Sequence, residues 1–192
     1  MNINDYTFYL ASKSPRRRRL IKLLNLNFKS FSVDLNEELT DGEHPVRTVK
    51  RLAREKMMLA QRKISTGIII TADTIVVLNK EIIGKPKNSD EAKRILKKLS
   101  NKKHFVYTGF AIYNTHKKKF IVDYEKTAVF FRKLSDIEIE EYVKTGSPLD
   151  KAGAYGIQDD FGAVFIRKII GCYYNVVGLP LSKLYTRIKE IV

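Results

Sequence analysis

A continuous apolar run that ends on a carboxylate is the feature that most constrains the fold of this chain. The run "GIIITAD", residues 67–73, lacks the polar alternation of a half-exposed strand, so it is typical of a buried strand. Ligands in α/β sheets bind at the carboxyl edge of the strands, so the sequence predicts a functional carboxylate at Asp73. A turn or helix cap formed by Asp73 and Thr74 is the alternative.

Hydrophobic periodicity divides the rest of the chain into helices and strands. Ser14 is predicted to N-cap a helix that has Pro15 at its first position. Helices and strands alternate first and strands cluster later, which predicts an α/β fold with a mixed β-sheet flanked by helices. The predicted strands are residues 6–11, 28–34, 67–73, two short strands around Asn79–Lys80, 106–113, 119–132 and 162–171, and the other helices are residues 45–64, a helix opening at Ser89, 135–146 and a helix opening at Pro180.

Length and composition fit one domain or two small lobes that share a cleft, and one continuous α/β domain over residues 1–192 is the simplest prediction. The 192 residues contain no internal repeat and no linker rich in proline or serine. No apolar run approaches the ~20 residues of a membrane span, so no membrane association is expected. Cys172 is the single cysteine, which excludes an internal disulfide and fits a reducing cytoplasm, the predicted location.

The formal net charge of +15 indicates anionic partners. Charge alone does not choose between DNA, RNA and nucleotides. Much of the excess is scattered lysine, which is typical of a solvated surface.

The stretch "SKSPRR", residues 12–17, is the first candidate phosphate site. The hydroxyls of Ser12 and Ser14, unpaired amides at a helix start and bidentate arginines all suit a phosphate. Successive helix residues differ by about 100°, so Arg16 and Arg17, nearest the helix start, are the candidates, and Arg18 and Arg19 need no function. An ordinary basic helix face is the alternative, because the glycines of a P-loop are absent.

Further along the chain, several polar residues could serve the same chemistry. Asp73 could hold a divalent metal or activate a water, and Thr74 adds a hydroxyl. Lys85, in "GKP", could aim an ammonium at phosphate, although a plain turn is the simpler explanation. Lys56, at the edge of an apolar stripe, either snorkels or contacts substrate. Gln158, in "DKAGAYGIQ", could hydrogen-bond a base edge, with a glycine-rich turn as the alternative.

The histidines are dispersed and no zinc spacing is present. The candidate groups are therefore carboxylates, lysines and arginines, which act together with a hard metal ion. This combination indicates that the substrates are phosphate esters or anhydrides.

The order of these motifs is more specific than any one of them. The stretches "SKSPRR", "LAREK", "TADTIV", "GKP", "HFVYTG", "DKAGAYGIQ" and "NVVGLPL" follow one another over nearly the whole chain. In this order they closely resemble the Maf, or septum-formation-inhibitor-like, family of nucleotide pyrophosphatases. The resemblance implies a fold similar to inosine triphosphate pyrophosphatase, with a central cleft and a possible homodimer. It also implies a nucleotide diphosphatase that converts nucleoside triphosphates to monophosphate and pyrophosphate with Mg²⁺ or Mn²⁺.

The family's site residues carry over to matching motifs in this chain. The acid or base aspartate corresponds to Asp73, which also becomes a candidate metal ligand. The phosphate motif corresponds to residues 12–17. The family's helix lysine corresponds to Lys56, and the lysine of its G-K-P motif corresponds to Lys85. Glu37 and its neighbour lie where the family has acidic residues facing the cleft, so Glu37 is a second candidate metal ligand.

Substrate choice in the family maps to Arg16, Thr74 and Gln158. Thr74 after the aspartate, together with "YGIQ", resembles the branch that acts on dTTP and UTP, and modified pyrimidine nucleotides are also plausible for it. A pyrophosphatase for 7-methyl-GTP or another noncanonical nucleotide is an alternative, as is a basic nucleic-acid-binding protein of division control, although no motif for specific nucleic-acid binding is present. The chain departs from the family at "DDFGA" after "YGIQ" and at Ser147, where an acidic residue is usual.

Overall fold

The computed structural model describes residues 3–36, 38, 40, 42–158 and 161–192 and contains a mixed seven-stranded sheet with helices against it. The strand order is β2-β1-β3-β5-β6-β7, with β4 paired to β3. This confirms the predicted fold class. The elements are β1 (Phe8–Ala11), α1 (Pro15–Lys22), β2 (Phe28–Phe31), α2 (Pro45–Gln61), β3 (Ile68–Leu78), β4 (Glu81–Ile83), α3 (Ser89–Leu99), β5 (Lys103–Asn114), β6 (Lys119–Phe131), α4 (Asp136–Lys144), β7 (Ile166–Ile170), α5 (Tyr173–Val177) and α6 (Leu181–Ile191).

The chain divides into two compact units. The first contains Met1–Asp73, Thr108–Glu125 and Gly178–Val192, and the second contains Thr74–Tyr107 and Lys126–Val177. The predicted cleft between two lobes stays a prediction.

In the first unit, β1 is the central strand and pairs in parallel with both β2 and β3. The chain leaves β1 through α1 to reach β2 on one side, then returns through α2 to β3 on the other side. The direction of the connections therefore reverses between β1 and β3. Such a reversal is the place where open α/β sheets bind ligands.

Helix α2 packs on the sheet of the first unit through an apolar stripe. Val49, Ala53, Met57 and Ala60 are buried on it at helical spacing. The contact with β5 is so close that a Cβ built at Gly109 would lie 2.3 Å from the carbonyl oxygen of Val49. Glycine is therefore required there for α2 to reach the strand.

In the second unit, α3 and α4 cover the inner face of the sheet. Val76, Val106 and Phe131 lie in this core with the apolar faces of both helices. The turn Asn79–Lys80, with φ of 50° and 71°, joins β3 to β4 as predicted. Ser135 caps α4 with a capping box, and Gly146, with φ of 73°, follows its end.

Between residues 161 and 177 the structure differs from the sequence prediction in two places. The strand predicted over residues 162–171 starts only at Ile166, because Phe161–Phe165 form a 3₁₀ helix that buries Phe165. The short helix α5 was not predicted, since its five residues are too few to show a helical period. No helix within the described residues is long and apolar enough to cross a membrane.

Candidate active site

The candidate site in the first unit lies past the carboxyl end of β1 and past the segment of β3, Ile68–Ile70, that pairs with it. The parallel ladder pairs Phe8, Tyr9 and Leu10 with Ile68, Ile69 and Ile70. Ser12 lies two residues beyond Leu10, and Asp73 lies three residues beyond Ile70. Both side chains therefore follow the same ladder at the point where the connections reverse, which is the position that the topology favours for a ligand.

The strand around Asp73 differs from the prediction. Asp73 was expected to end a strand, but β3 continues through it to Leu78. The strand continues because Thr74, Ile75 and Val76 are β-branched and because β4 pairs with β3 from Val76 onward. Asp73 is thus fixed inside a regular strand, between the segment paired with β1 and the segment paired with β4.

Lys56 and Asp73 form a buried ion pair. Lys56 Nζ donates to Asp73 Oδ1 at 2.5 Å, and the two residues are 9% and 5% exposed. Thr71, two residues before Asp73 and on the same side of β3, donates its hydroxyl hydrogen to the carbonyl oxygen of Ala53 on α2 at 2.7 Å. This hydrogen bond joins α2 to β3 next to the ion pair. The joined helix and strand hold the Asp73 carboxylate in one position.

The turn between β1 and α1 brings three of the predicted phosphate ligands together. The amide of Ser14 donates to Ser12 Oγ at 3.2 Å, and Arg17 Nη1 lies 3.5 Å from the same oxygen. Arg17 Nε donates to the carbonyl oxygen of Gly178 at 2.8 Å. The guanidinium of Arg17 is thereby held beside the Ser12 hydroxyl, an arrangement that suits an anion.

Capping changes one expectation about this helix start. The sequence predicted unpaired amides, but Ser14 Oγ accepts from the amide of Arg17 at 3.3 Å, Pro15 has no N–H, and the amide of Ser14 is bonded to Ser12. Side chains, more than helix amides, therefore offer the donors for an anion. Arg16 and Arg17 are partly buried whereas Arg18 and Arg19 are exposed, as expected from their positions on the helix.

Charged residues also follow β2 and precede α2. Lys13 and Asp34 form an exposed ion pair, and the hydrogen bond from Lys13 lowers the pKa of the Asp34 carboxyl. Arg51 on α2 donates to both carboxylate oxygens of Glu43 and, at 3.0 Å, to the carbonyl oxygen of Glu38. The hydrogen bond from Arg51 lowers the pKa of Glu43. The candidate metal ligand Glu37 lies outside the described residues.

Three predicted site residues belong to the second unit. Thr74, directly after Asp73 in β3, is partly buried, and Lys85 is exposed. The amide of Gly153 donates to the carbonyl oxygen of Gly84 at 3.0 Å, so the turn that carries Lys85 is fastened to the segment that leads to Gln158. A backbone hydrogen bond thus links the turn at Lys85 to the segment that precedes Gln158.

Gln158 has a buried carbonyl oxygen. Its Oε1 has no hydrogen-bond partner among the described residues. A buried acceptor without a donor costs free energy, which a ligand N–H group can recover. Asp159 and Asp160, the acidic insertion that follows, lie outside the described residues.

The segment before Gln158 is held by contacts that the sequence did not reveal. Lys151 Nζ donates to Ser147 Oγ at 2.9 Å and to Asp150 Oδ1 at 2.8 Å, so Ser147 fixes this segment. His104 Nε2 and Tyr155 Oη are hydrogen-bonded at 2.8 Å, and burial lowers the pKa of His104 to about 4. The carbonyl of Gly178 was also missed, because a backbone acceptor leaves no signature in side-chain chemistry.

A divalent cation fits the donor set of this site when it is bound together with a polyphosphate. Among the described residues, no three His, Cys, Asp or Glu side chains are grouped closely enough to hold a metal ion. Mg²⁺, however, is commonly bound through one or two carboxylates together with substrate phosphates. Asp73 offers one such carboxylate, so the donor set suits a cation that is bound together with a polyphosphate.

Comparison with known proteins agrees with the chemistry of the site. The chain matches the family model described as Maf-like protein over residues 7–191. It is 49% identical to the dTTP/UTP pyrophosphatase of Thermosipho melanesiensis over 176 residues, which cover 92% of this chain and 93% of the relative. It is 47% identical to the dTTP/UTP pyrophosphatase of Geobacter sp. strain M21 over 189 residues, with 98% and 97% covered.

Among solved structures, the Ham1 protein of Staphylococcus aureus is similar with a TM-score of 0.48 and 14% sequence identity, over 65% of this chain and 71% of that one. The family match extends over nearly the whole chain and includes every predicted site residue. The chain belongs to the Maf family.

Proposed function

We propose that this chain is a nucleoside triphosphate pyrophosphatase that hydrolyses dTTP and UTP to the monophosphate and pyrophosphate. The relatives named dTTP/UTP pyrophosphatase, aligned over nearly their full length, support this activity. The observation that carries the proposal is the buried Lys56–Asp73 pair, which follows the β1–β3 ladder on one strand while the Ser12–Arg17 turn follows it on the other. The two strands thus supply a fixed carboxylate and a group of anion-binding donors at the reversal point of the sheet.

Each predicted residue has a role in this proposal. Asp73 orients or deprotonates the water that attacks the α-phosphorus, and Lys56 fixes Asp73 in position. Arg16, Arg17 and Lys85 neutralise the triphosphate. Positive groups accelerate the reaction because they stabilise the charge that develops on the bridging and leaving oxygens.

The remaining groups bind the phosphates and the base. The hydroxyls of Ser12 and Ser14 contact phosphate, while Thr74 and the buried Oε1 of Gln158 contact the nucleoside. Thymine and uracil each present an N–H donor between two carbonyl acceptors, which complements a side-chain amide. Purine edges also pair with an amide, so the pyrimidine preference is supported by the dTTP/UTP pyrophosphatase relatives.

A divalent cation, Mg²⁺ or Mn²⁺, completes the proposal. Asp73 would hold it, together with Glu37 in the segment after β2, and it would neutralise charge on the phosphate oxygens. The homodimer and the cytoplasmic location remain predictions from the sequence.

A panel of triphosphates tests the proposed function. Pyrophosphate release is measured from dTTP, UTP, modified pyrimidine triphosphates, purine triphosphates and 7-methyl-GTP, each with Mg²⁺, with Mn²⁺ and with EDTA. We expect the highest kcat/KM for dTTP and UTP with a divalent cation, and no release in EDTA. Preference for 7-methyl-GTP or a purine would overturn the substrate assignment, and release of orthophosphate instead of pyrophosphate would overturn the reaction.

A further inference from the structure

The sheet of the second unit has one face in the core and an opposite face that bears aromatic and basic side chains. Val106, Val129 and Phe131 point into the core formed with α3 and α4. Successive strand residues point to opposite faces, so Phe105 and Phe130 lie on the other face. Both of these rings are half-buried.

Lysines flank both rings. Lys126 Nζ lies 4.1 Å from the ring centre of Phe105, and Lys103 Nζ lies 5.5 Å from it. Phe130 is paired with Lys168 across the β6–β7 ladder, and directly paired residues point to the same face. We call this surface the aromatic–basic face; it consists of Lys103, Phe105, Lys126, Phe130 and Lys168.

The strand segments that carry these five residues contain basic but no acidic side chains. Residues 103–107, 126–130 and 168–170 contain three lysines and no aspartate or glutamate. The lysines of the aromatic–basic face are all exposed, and Ile170, beside Lys168, is 54% exposed. This surface therefore complements an anion that also has flat apolar groups.

We propose that the aromatic–basic face binds single-stranded nucleic acid without sequence preference, as an activity separate from nucleotide hydrolysis. A single strand offers repeated phosphates to the lysines and unpaired bases to the two rings. An acidic peptide would satisfy the lysines but not the rings, and a duplex keeps its bases stacked inside. The absence of a specific nucleic-acid motif in the sequence agrees with binding that reads no base sequence.

The test measures fluorescence anisotropy of a labelled oligo(dT) of about 15 nucleotides at several salt concentrations, without divalent cation. Phe105→Leu with Phe130→Leu should weaken binding about tenfold with an unchanged salt slope, because stacking on the rings is lost. Lys126→Gln with Lys168→Gln should reduce the slope of log K against log[salt] by about 1.4, since roughly 0.7 counterions are released per phosphate contact. None of these residues belongs to the proposed hydrolytic site, so dTTP turnover should stay at the wild-type value.

The matched control is Lys117→Gln with Lys119→Gln, which removes two exposed charges outside the aromatic–basic face. This control should reduce the affinity less than Lys126→Gln with Lys168→Gln does. Three results would overturn the proposal: equal binding of a duplex of the same length, wild-type affinity in the double leucine variant, or displacement of the oligonucleotide by a non-hydrolysable dTTP analogue. The last result would place the strand in the nucleotide site. Because binding is measured without turnover, failure here would leave the proposed hydrolysis untouched.

Discussion

At the scale of single residues, the proposed chemistry depends on the contact between Lys56 and Asp73. Both side chains are almost fully buried, and the ammonium and a carboxylate oxygen are 2.5 Å apart. A buried charge that loses its partner is costly, whereas exposed pairs contribute little. The pair should therefore matter for stability as well as for catalysis.

Lys56→Met tests the stability part of this statement. The variant leaves the Asp73 carboxylate buried without its ammonium, so we expect the free energy of unfolding to fall by about 3 kcal/mol. Urea denaturation followed by circular dichroism measures the change. Adding Asp73→Leu to the variant should recover most of the loss.

The control is Lys97→Met, which removes an exposed pair with Asp136 and should change the free energy of unfolding by about 0.5 kcal/mol or less. Simple additivity of the Lys56 and Asp73 substitutions would contradict the interpretation of a coupled pair.

At the scale of elements, α1 and α2 position the candidate groups. The N-cap of α1 orders the turn that holds Arg17, and the close contact of α2 with β5 sets the position of Lys56. Lys56 lies seven residues, or about two turns, after Val49, so both residues are on the same side of α2.

Ser14→Ala should remove the cap of α1 and cost about 1 kcal/mol of stability. We also expect a higher KM for dTTP, because the turn that presents Ser12 and Arg17 loses its order and the proposed phosphate contact of the Ser14 hydroxyl is removed. Ser135→Ala removes the equivalent cap of α4 and should cost similar stability with an unchanged KM. An equal rise of KM in both variants would refute a specific role for the α1 turn.

Gly109→Ala should displace α2 from the sheet. The new Cβ would be 2.3 Å from the carbonyl oxygen of Val49, so we expect a loss of at least about 2 kcal/mol in unfolding free energy and a lower kcat. Gly84→Ala, where an added Cβ has no atom within 4 Å, is the control for stability. Wild-type stability of Gly109→Ala would show that α2 does not depend on this contact.

The elements also show what the sequence could and could not predict. The start of α1 at Pro15 and that of α2 at Pro45 were predictable, because capping and proline are local signals. The continuation of β3 through Asp73 was not, because it depends on pairing with β4, a contact made by the tertiary fold. The link between Gly153 and Gly84 and the acceptor role of Gly178 were hidden for the same reason, since both use backbone groups.

At the scale of the whole molecule, the buried His104 should make the stability depend on pH. Burial lowers its pKa from 6.5 to about 4, so the unfolded chain binds a proton at a pH at which the folded chain does not. The associated stability is fully present above pH 6.5 and is lost as the pH falls toward 4. The full difference corresponds to roughly 3 kcal/mol.

His104→Gln should remove this dependence. Unfolding free energies measured at several pH values between 7 and 4 should fall more steeply for the wild type than for the variant, whatever the stability of the variant at neutral pH. Parallel curves would show that His104 does not titrate in this way.

The proposed function depends most on the carboxylate of Asp73. Substituting Asp73 with asparagine keeps the size of the side chain and removes its ability to act as a base.

The most direct test is pyrophosphate release from dTTP by Asp73→Asn, beside wild type and the exposed-carboxylate control Asp136→Asn, with folding checked by circular dichroism. We predict that kcat/KM falls by at least about 100-fold in Asp73→Asn and stays at the wild-type value in the control. Near-normal turnover by a folded Asp73→Asn protein would contradict the account.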